Sequence, residues 1–317
     1  MNGEGIGFGK AILFNEHFVV YGVPAIVSAI GKYTVAKARP YNEPKLELVD
    51  NRNATPGYKE DKKDQQKESV RRIIEKMDLD FSNNSGVEVE LAGTLYAASG
   101  IGASAASCVS MARALSEYYQ MNLSDEQINE IGYEGEKGYH GTPSGIDNTA
   151  STFGGLIWFE KKEKPVMDRI ELHNPIEIVM GNTGKVADTT AAVAGVRKRK
   201  EAHSEKYNEI FKRAENIAYL AKQAFIDEDI REIGKLMNEN HKLLQQIEVS
   251  SKELDFLVKL ARDYGAFGAK LTGGGLGGNM MALTPGKKLQ DEVANAIEKE
   301  GFQTLKTKIG VKRQGDQ

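Results

Sequence analysis

At 317 residues the chain exceeds what one small core needs and suits two closely joined domains. Its usage, 40% hydrophobic and 27% charged, is that of a folded body rather than a disordered one. Lys and Arg total 42 against 45 Asp and Glu, and a net charge of −3 gives no bulk attraction to nucleic acid or an anionic membrane.

The first third reads as strands, with apolar and β-branched runs at 11–14, 18–21, 25–30 and 33–38 separated by Gly and Pro. Lys10 follows a glycine-rich start, and Asn15, Glu16 and His17 interrupt the apolar pattern. Three polar residues there either face solvent or line a site. Residues 50–68 are polar and charged and read as a long surface loop or flap, with a helix expected over 69–77 and a short strand over 87–91.

A glycine-rich turn, Ser99-Gly100-Ile101-Gly102-Ala103-Ser104-Ala105, then opens a helix expected over 105–119. Glycines let a backbone approach a phosphate, and a helix start aims free N–H groups and partial positive charge at it. Ser104 adds a hydroxyl that can reach Mg²⁺ or a phosphate oxygen. The same residues would also make a tight turn with an N-cap serine. Cys108 lies in this apolar run and reads as a buried thiol; a single cysteine excludes an internal disulfide and a Cys-rich zinc site.

Ser124 and Gln127 form a capping-box pattern for a helix running toward Lys137. Glu136 and Asp147 then bracket a broken segment holding His140, Thr142, Pro143 and Ser144. After residue 176 a strand leads to amphipathic helices, one with Tyr207, Ile210, Phe211, Ala214, Ile217, Leu220, Ala221 and Ala224 at helical spacing. Ser250 and Glu253 suggest a second capping box before 254–264. The stretch 268–284 reads strand, glycine loop, strand, with five glycines among residues 273–278. A plain turn needs one or two, since each glycine costs roughly 0.5–1 kcal/mol in backbone entropy.

Both glycine clusters match dinucleotide-binding spacings, yet each lacks the strand–loop–helix–strand context and the following acidic residue. No G-x-x-x-x-G-K-[ST] run exists, so the chain is not a P-loop enzyme. His17 and His140 have no third zinc ligand at a recognisable spacing. Metal-assisted phosphoryl transfer needs a carboxylate for Mg²⁺, a cation for the transferring charge and a group that orients or deprotonates the hydroxyl. Glu136, Ser104, Lys10 and Asp147 supply that set. The N-terminus shows no secretory pattern and no 18-residue apolar window exists, so a cytoplasmic location is expected.

Four ordered motifs resemble the GHMP kinase superfamily over essentially the whole chain. GKAILFNEHFVVYGVPA is similar to the opening of mevalonate kinases, G-K-x-x-L-F-G-E-H-x-V-V-Y-G-x-P-A. Residues 100–105 resemble the phosphate loop G-L-G-S-S-A, HGTPSGIDN resembles H-G-x-P-S-G-x-D-N, and KLTGGGLGGN resembles K-x-T-G-A-G-x-G-G-C. The resemblance implies an α+β fold of two domains. The first, 1–172, would be the α/β ATP-binding domain with mostly antiparallel strands, and 173–317 an α+β domain, with ATP in the cleft between them.

It further implies an ATP- and Mg²⁺-dependent kinase, with a mevalonate-like alcohol as acceptor, in isoprenoid precursor synthesis. Asp147 would be the catalytic base and Lys10 its charge partner. Ser99, Gly100, Gly102, Ala103, Ser104 and Ala105 would bind the ATP phosphates, and Ser104 and Glu136 the magnesium. Glu16, His17, Ser144, Thr190, Gly274, Gly275 and Gly277 would lie at the acceptor. Neither nucleic acid nor membrane is an expected partner, and a homodimer is allowed.

The chain departs from the family pattern at Asn15 for Gly, Ala103 for the first loop serine, Tyr96 near a usual Pro and Asn279 for Cys. Asp188 stands where many mevalonate kinases carry a basic residue, and Lys185 is a nearby cation that would offset it. The alternative readings are another GHMP kinase (phosphomevalonate, homoserine or sugar acceptor), a non-catalytic ligand sensor on the same fold, and a nicotinamide-dependent dehydrogenase, which the strand context opposes.

Overall fold

The computed structural model describes residues 2–54, 57–81, 86–97, 100–163, 166–185 and 189–313. In chain order, β1 (Gly3–Phe14), a 3-10 turn (Phe18–Tyr21), β2 (Ala25–Tyr41), β3 (Leu46–Asp50), α1 (Tyr58–Asp61), α2 (Lys63–Lys76) and β4 (Gly86–Gly93) come first. Helices α3 (Ala103–Tyr118), α4 (Asp125–His140) and α5 (Ile146–Phe153) follow, then β5 (Leu156–Glu160), β6 (Val166–Ile170), β7 (Ile176–Asn182) and α6 (Thr189–Ala202). The last third holds α7 (Ser204–Ile226), α8 (Ile230–Gln246), α9 (Lys252–Asp263), β8 (Gly268–Thr272), β9 (Asn279–Leu283), α10 (Lys287–Lys299) and β10 (Gln303–Ile309). Residues 1–10, 29–154 and 313–317 form one compact unit, and 11–28 with 155–312 form the other.

In the first unit the later part of β2 pairs antiparallel with β4, and β3 runs parallel to β4 on its far side. Ala36, Ala38, Val87, Val89 and Leu91 face Ile73 of α2, Cys108, Val109 and Leu115 of α3, and Ile128 and Ile131 of α4. Burial pushes the Cys108 thiol well above its ordinary pKa, as expected of a structural cysteine.

Alternation along β1 fixes its distance from α3. Gly3, Gly5 and Gly7 share one face of the strand, and a Cβ on them would stand 2.1, 2.3 and 2.2 Å from the carbonyls of Ala114, Ser110 and Ala106. Those three lie one helical turn apart, so a bare strand face lies against a small-residue helix stripe. The start of α3 is thereby held beside the end of this β1 segment, where Lys10 N–H donates to the Ile101 carbonyl at 2.8 Å.

In the second unit β10, β7, β9 and β8 pair antiparallel in that order, and the first residues of β2 pair with β5, itself paired with β6. Phe18 packs edge-on against Phe211 of α7 (centroids 5.0 Å apart) and Phe14 against Phe225 (6.3 Å). Of the apolar stripe expected on α7, all but Leu220 is buried; Leu220 is half exposed. Among the described residues no helix is long and apolar enough to cross a membrane.

Three local expectations are corrected. Residues 18–21 are a 3-10 turn, not a strand, because Asn15 (φ +70°) and His17 (φ +62°) take left-handed backbone and curl the chain. The charged stretch 50–68 is not a loop over its length, since α1 and α2 occupy 58–61 and 63–76. Its charges pair along α2, with Glu68 accepting from both Arg71 and Arg72. The N-cap of α9 is Ser251, whose hydroxyl accepts from Leu254 N–H, while Ser250 donates instead to Asp255 Oδ1. The capping box at Ser124 and Gln127 forms as the sequence predicts, with both reciprocal bonds made.

Candidate active site

The first unit gathers five of the expected residues. Lys10 Nζ lies 3.1 Å from Asp147 Oδ1; the lysine is buried and the aspartate about one-third exposed. Asp147 sits in the first turn of α5, behind Gly145, whose left-handed backbone opens the helix. The partial positive charge of that terminus and the lysine both face the carboxylate. Ser144 accepts a hydrogen bond from Ile146 N–H at 3.3 Å and so shapes the same turn.

Glu136, on α4, is almost fully buried (1% exposed), and its Oε1 has no hydrogen-bond partner. Burial first, and the charge of Asp147 second, push its carboxyl up to about 8, opposed by a bond from Ser104 and by the charge of Lys10. One turn further on, His140 Nε2 lies 3.3 Å from Ser104 Oγ and 4.0 Å from Glu136 Oε2. Burial lowers the His140 pKa, so the imidazole is neutral at pH 7. A buried, unsatisfied carboxylate beside a hydroxyl and a second carboxylate is a site short of positive charge.

Gly100 and Gly102 both take left-handed backbone (φ +69° and +79°), and α3 starts after Gly102 with no side-chain cap. The first N–H groups of such a helix have no partner within the helix. Ala103 and Ala105 are buried in the helix's first turn. Ser99 and Asp188 lie outside the described residues.

Arg52 is a functional candidate that reading by residue type missed. Buried at 5% exposure, it donates to Ala103 O at 2.9 Å and pairs with Asp50 at 2.6 Å. Burial opposes ionisation of Asp50, yet the bonds from Arg52 hold its carboxyl below the usual range. The signal lay inside the charged 50–68 stretch, where nothing marked this arginine as buried.

In the second unit, Glu16 is buried (1%) and pairs with fully buried Lys270 at 2.5 Å. Lys270 opens the K-x-T-G motif but carried no role in the sequence reading. His17 packs against the glycine loop, where a Cβ on Gly275 would stand 3.2 Å from its Nε2 and 2.3 Å from Val249 O. Gly275 (φ +70°) can thus be only glycine, for space and for backbone. Burial lowers the His17 pKa to about 4; the nearby Gly274 backbone opposes this, and neither ring nitrogen makes a hydrogen bond of normal geometry. Gly277 (φ +151°) continues the loop, and Thr190 is exposed in the first turn of α6. Lys185, read as a nearby cation for Asp188, pairs with Glu253 at 2.5 Å.

A phosphate-loop helix start, a Lys–Asp pair and a buried carboxylate define a kinase of small molecules. Residues 67–155 match the family described as GHMP kinases N terminal domain, and 221–303 match GHMP kinases C terminal. The chain belongs to the GHMP kinase family, and its α+β fold is that family's. It is 37% identical to the mevalonate kinase of Pyrococcus abyssi over 95% of this chain and 93% of that one. With the mevalonate kinase of Thermococcus gammatolerans the identity is 38%, over 95% and 94%. The solved structure of L. major mevalonate kinase in complex with R-mevalonate superposes with a TM-score of 0.92 at 39% identity, covering 97% of this chain and 95% of that chain.

Proposed function

We propose that this chain is an ATP-dependent mevalonate kinase, transferring the γ-phosphoryl group of ATP to the primary hydroxyl of mevalonate to give 5-phosphomevalonate. The observation that carries the chemistry is the Lys10–Asp147 pair beside buried Glu136 and Ser104. Asp147 accepts the hydroxyl proton as the new O–P bond forms and the bond to the ADP oxygen breaks. Lys10 holds that carboxylate in place from its buried side, and its charge faces the reacting oxygens. The first N–H groups of α3 and the glycines at 100 and 102 receive the ATP phosphates, and Arg52 fixes the helix start by holding Ala103 O.

Glu136 and Ser104 fit a magnesium ion, because a cation would satisfy the partnerless Oε1 and return the raised carboxyl to its charged form. Bound there, Mg²⁺ would neutralise phosphate charge. We assign the acceptor to Glu16, His17, Ser144, Thr190 and the backbone of Gly274, Gly275 and Gly277. In the second unit's part, His17 is neutral and the buried Lys270–Glu16 pair is internally compensated.

The test is an ADP-release assay of the purified protein with mevalonate, 5-phosphomevalonate, homoserine and galactose. Mevalonate should give the highest kcat/KM. An acceptor ten times more efficient than mevalonate overturns the substrate and leaves the kinase standing.

A further inference from the structure

Helix α8 carries two adjacent polar residues that are almost completely buried, Asn240 (0% exposed) and His241 (1%). Asn240 faces Asn15. Its Oδ1 accepts from the Asn15 backbone N–H at 3.3 Å, and its Nδ2 donates to Asn15 Oδ1 at 2.8 Å. Asn15 Nδ2 then donates to the carbonyls of Pro24 (2.7 Å) and Ala214 (2.9 Å). The amide of Asn15 is thus satisfied on every side, and the left-handed turn that presents Glu16 and His17 is tied to α8 and α7.

The neighbouring imidazole grips the other partner. His241 Nδ1 accepts from Leu271 N–H at 3.3 Å, so the ring proton resides on Nε2, which donates to Asp255 Oδ1 at 3.1 Å. Ser250 donates to the same oxygen at 2.6 Å. Leu271 directly follows Lys270, whose ammonium bonds Glu16 and the Leu271 carbonyl. Consecutive residues of one helix therefore hold the two carriers of the Glu16–Lys270 pair.

The usual residue at position 15 in the family pattern is glycine, which satisfies a positive φ and supplies no side chain. An asparagine there is adapted to the same backbone and adds the bonds to α8 and α7.

We propose that Asn240 and His241 are positioning residues for the phosphoryl acceptor: through Asn15 and Leu271 they set the placement of Glu16, His17 and Lys270. The inference rests on the assignment of Glu16 and His17 to the acceptor. It differs from mere stabilisation because it separates the two substrates, ATP being assigned to residues of the other unit.

The experiment compares the full-length wild type with Asn15→Gly, Asn240→Ala and the double variant, varying mevalonate and ATP independently. Asn15→Gly keeps the left-handed backbone accessible and should raise KM for mevalonate about tenfold, with KM for ATP within twofold. Asn240→Ala should raise it further. The double variant should fall short of the product of the two effects, since both remove the Asn15–Asn240 side-chain bond. Mevalonate KM within twofold of wild type in Asn15→Gly and Asn240→Ala overturns the proposal, as does a parallel rise in both KM values. Should Asn240→Ala fail to fold, Asn15→Gly decides alone. A wild type that phosphorylates another acceptor instead refutes the mevalonate reading, and the same split is then read with that acceptor.

Discussion

Lys10 and Asp147 meet at 3.1 Å, one from the strand laid against α3 and the other from the first turn of α5. The lysine is buried and the carboxylate partly open, so one side of the pair is fixed by protein and the other is accessible to a substrate hydroxyl.

That relationship makes Asp147→Asn the sharpest chemical test. The amide keeps the shape of the side chain and cannot take a proton. We expect kcat to fall by about 10²–10⁴-fold while KM for ATP changes less than twofold. Steady-state kinetics with a near-normal kcat would remove Asp147 from the mechanism.

Glu136 and Ser104 should control the metal requirement. Glu136→Gln removes the charge that the buried partnerless oxygen would bring to a cation, and Ser104→Ala removes the neighbouring hydroxyl. Both should raise the Mg²⁺ concentration for half-maximal activity. In thermal denaturation without nucleotide, added Mg²⁺ should raise the wild-type Tm more than that of either variant. Equal Mg²⁺ titrations and equal Tm shifts would place the metal elsewhere.

Arg52 ties α3 to the β3 end through Ala103 O and Asp50. Replacing it by alanine frees the Ala103 carbonyl and leaves the buried Asp50 carboxylate with only Gln66 and the more distant Lys59. A loss of about 3–5 kcal/mol is expected in chemical denaturation, with a raised KM for ATP in whatever remains folded. Asn in place of Asp50 as well should recover part of the stability, because the buried charge that lost its arginine is gone.

His17 gives a pH signature of known sign. Its folded-state pKa of about 4 lies below the ordinary 6.5, so the unfolded chain binds the proton more readily. The stabilisation is complete above about pH 6.5 and is lost as pH falls from there toward 4, amounting to roughly 3 kcal/mol at most. His17→Gln should flatten the stability profile over that window. A profile that stays as steep as wild type would show that other groups set the acid limb.

Gly5→Ala probes the close approach of β1 and α3. Its Cβ would stand 2.3 Å from Ser110 O, a backbone atom that cannot swing away. Destabilisation of about 1–3 kcal/mol is expected, read by urea denaturation. A neutral outcome would mean that the strand and helix separate freely.

Signals confined to a few neighbouring residues were legible in the sequence. The capping box at Ser124 and Gln127, the helical stripe of α7, the glycines of both loops and the polar break at Asn15, Glu16 and His17 all carry their meaning in local spacing. The resemblance to GHMP kinases then put Lys10, Ser104, Glu136 and Asp147 in one reaction, and the first unit brings those four together.

What the sequence by itself determined was therefore the family, the kinds of element and the candidates for the reacting groups, because motif order and local periodicity survive in one dimension. Tertiary structure alone decided which charges are buried and what each one touches. Arg52 and Lys270 look like any other cation until Ala103 O and Glu16 close on them. Asn240 is one polar residue in an amphipathic helix until Asn15, far away along the chain, turns its amide toward it. Residues 18–21 have the composition of a strand, but two left-handed residues just before them and the seat of Phe18 on Phe211 make them a 3-10 turn. Desolvation and long-range hydrogen bonds depend on the whole packed chain, and no window of neighbouring residues contains them.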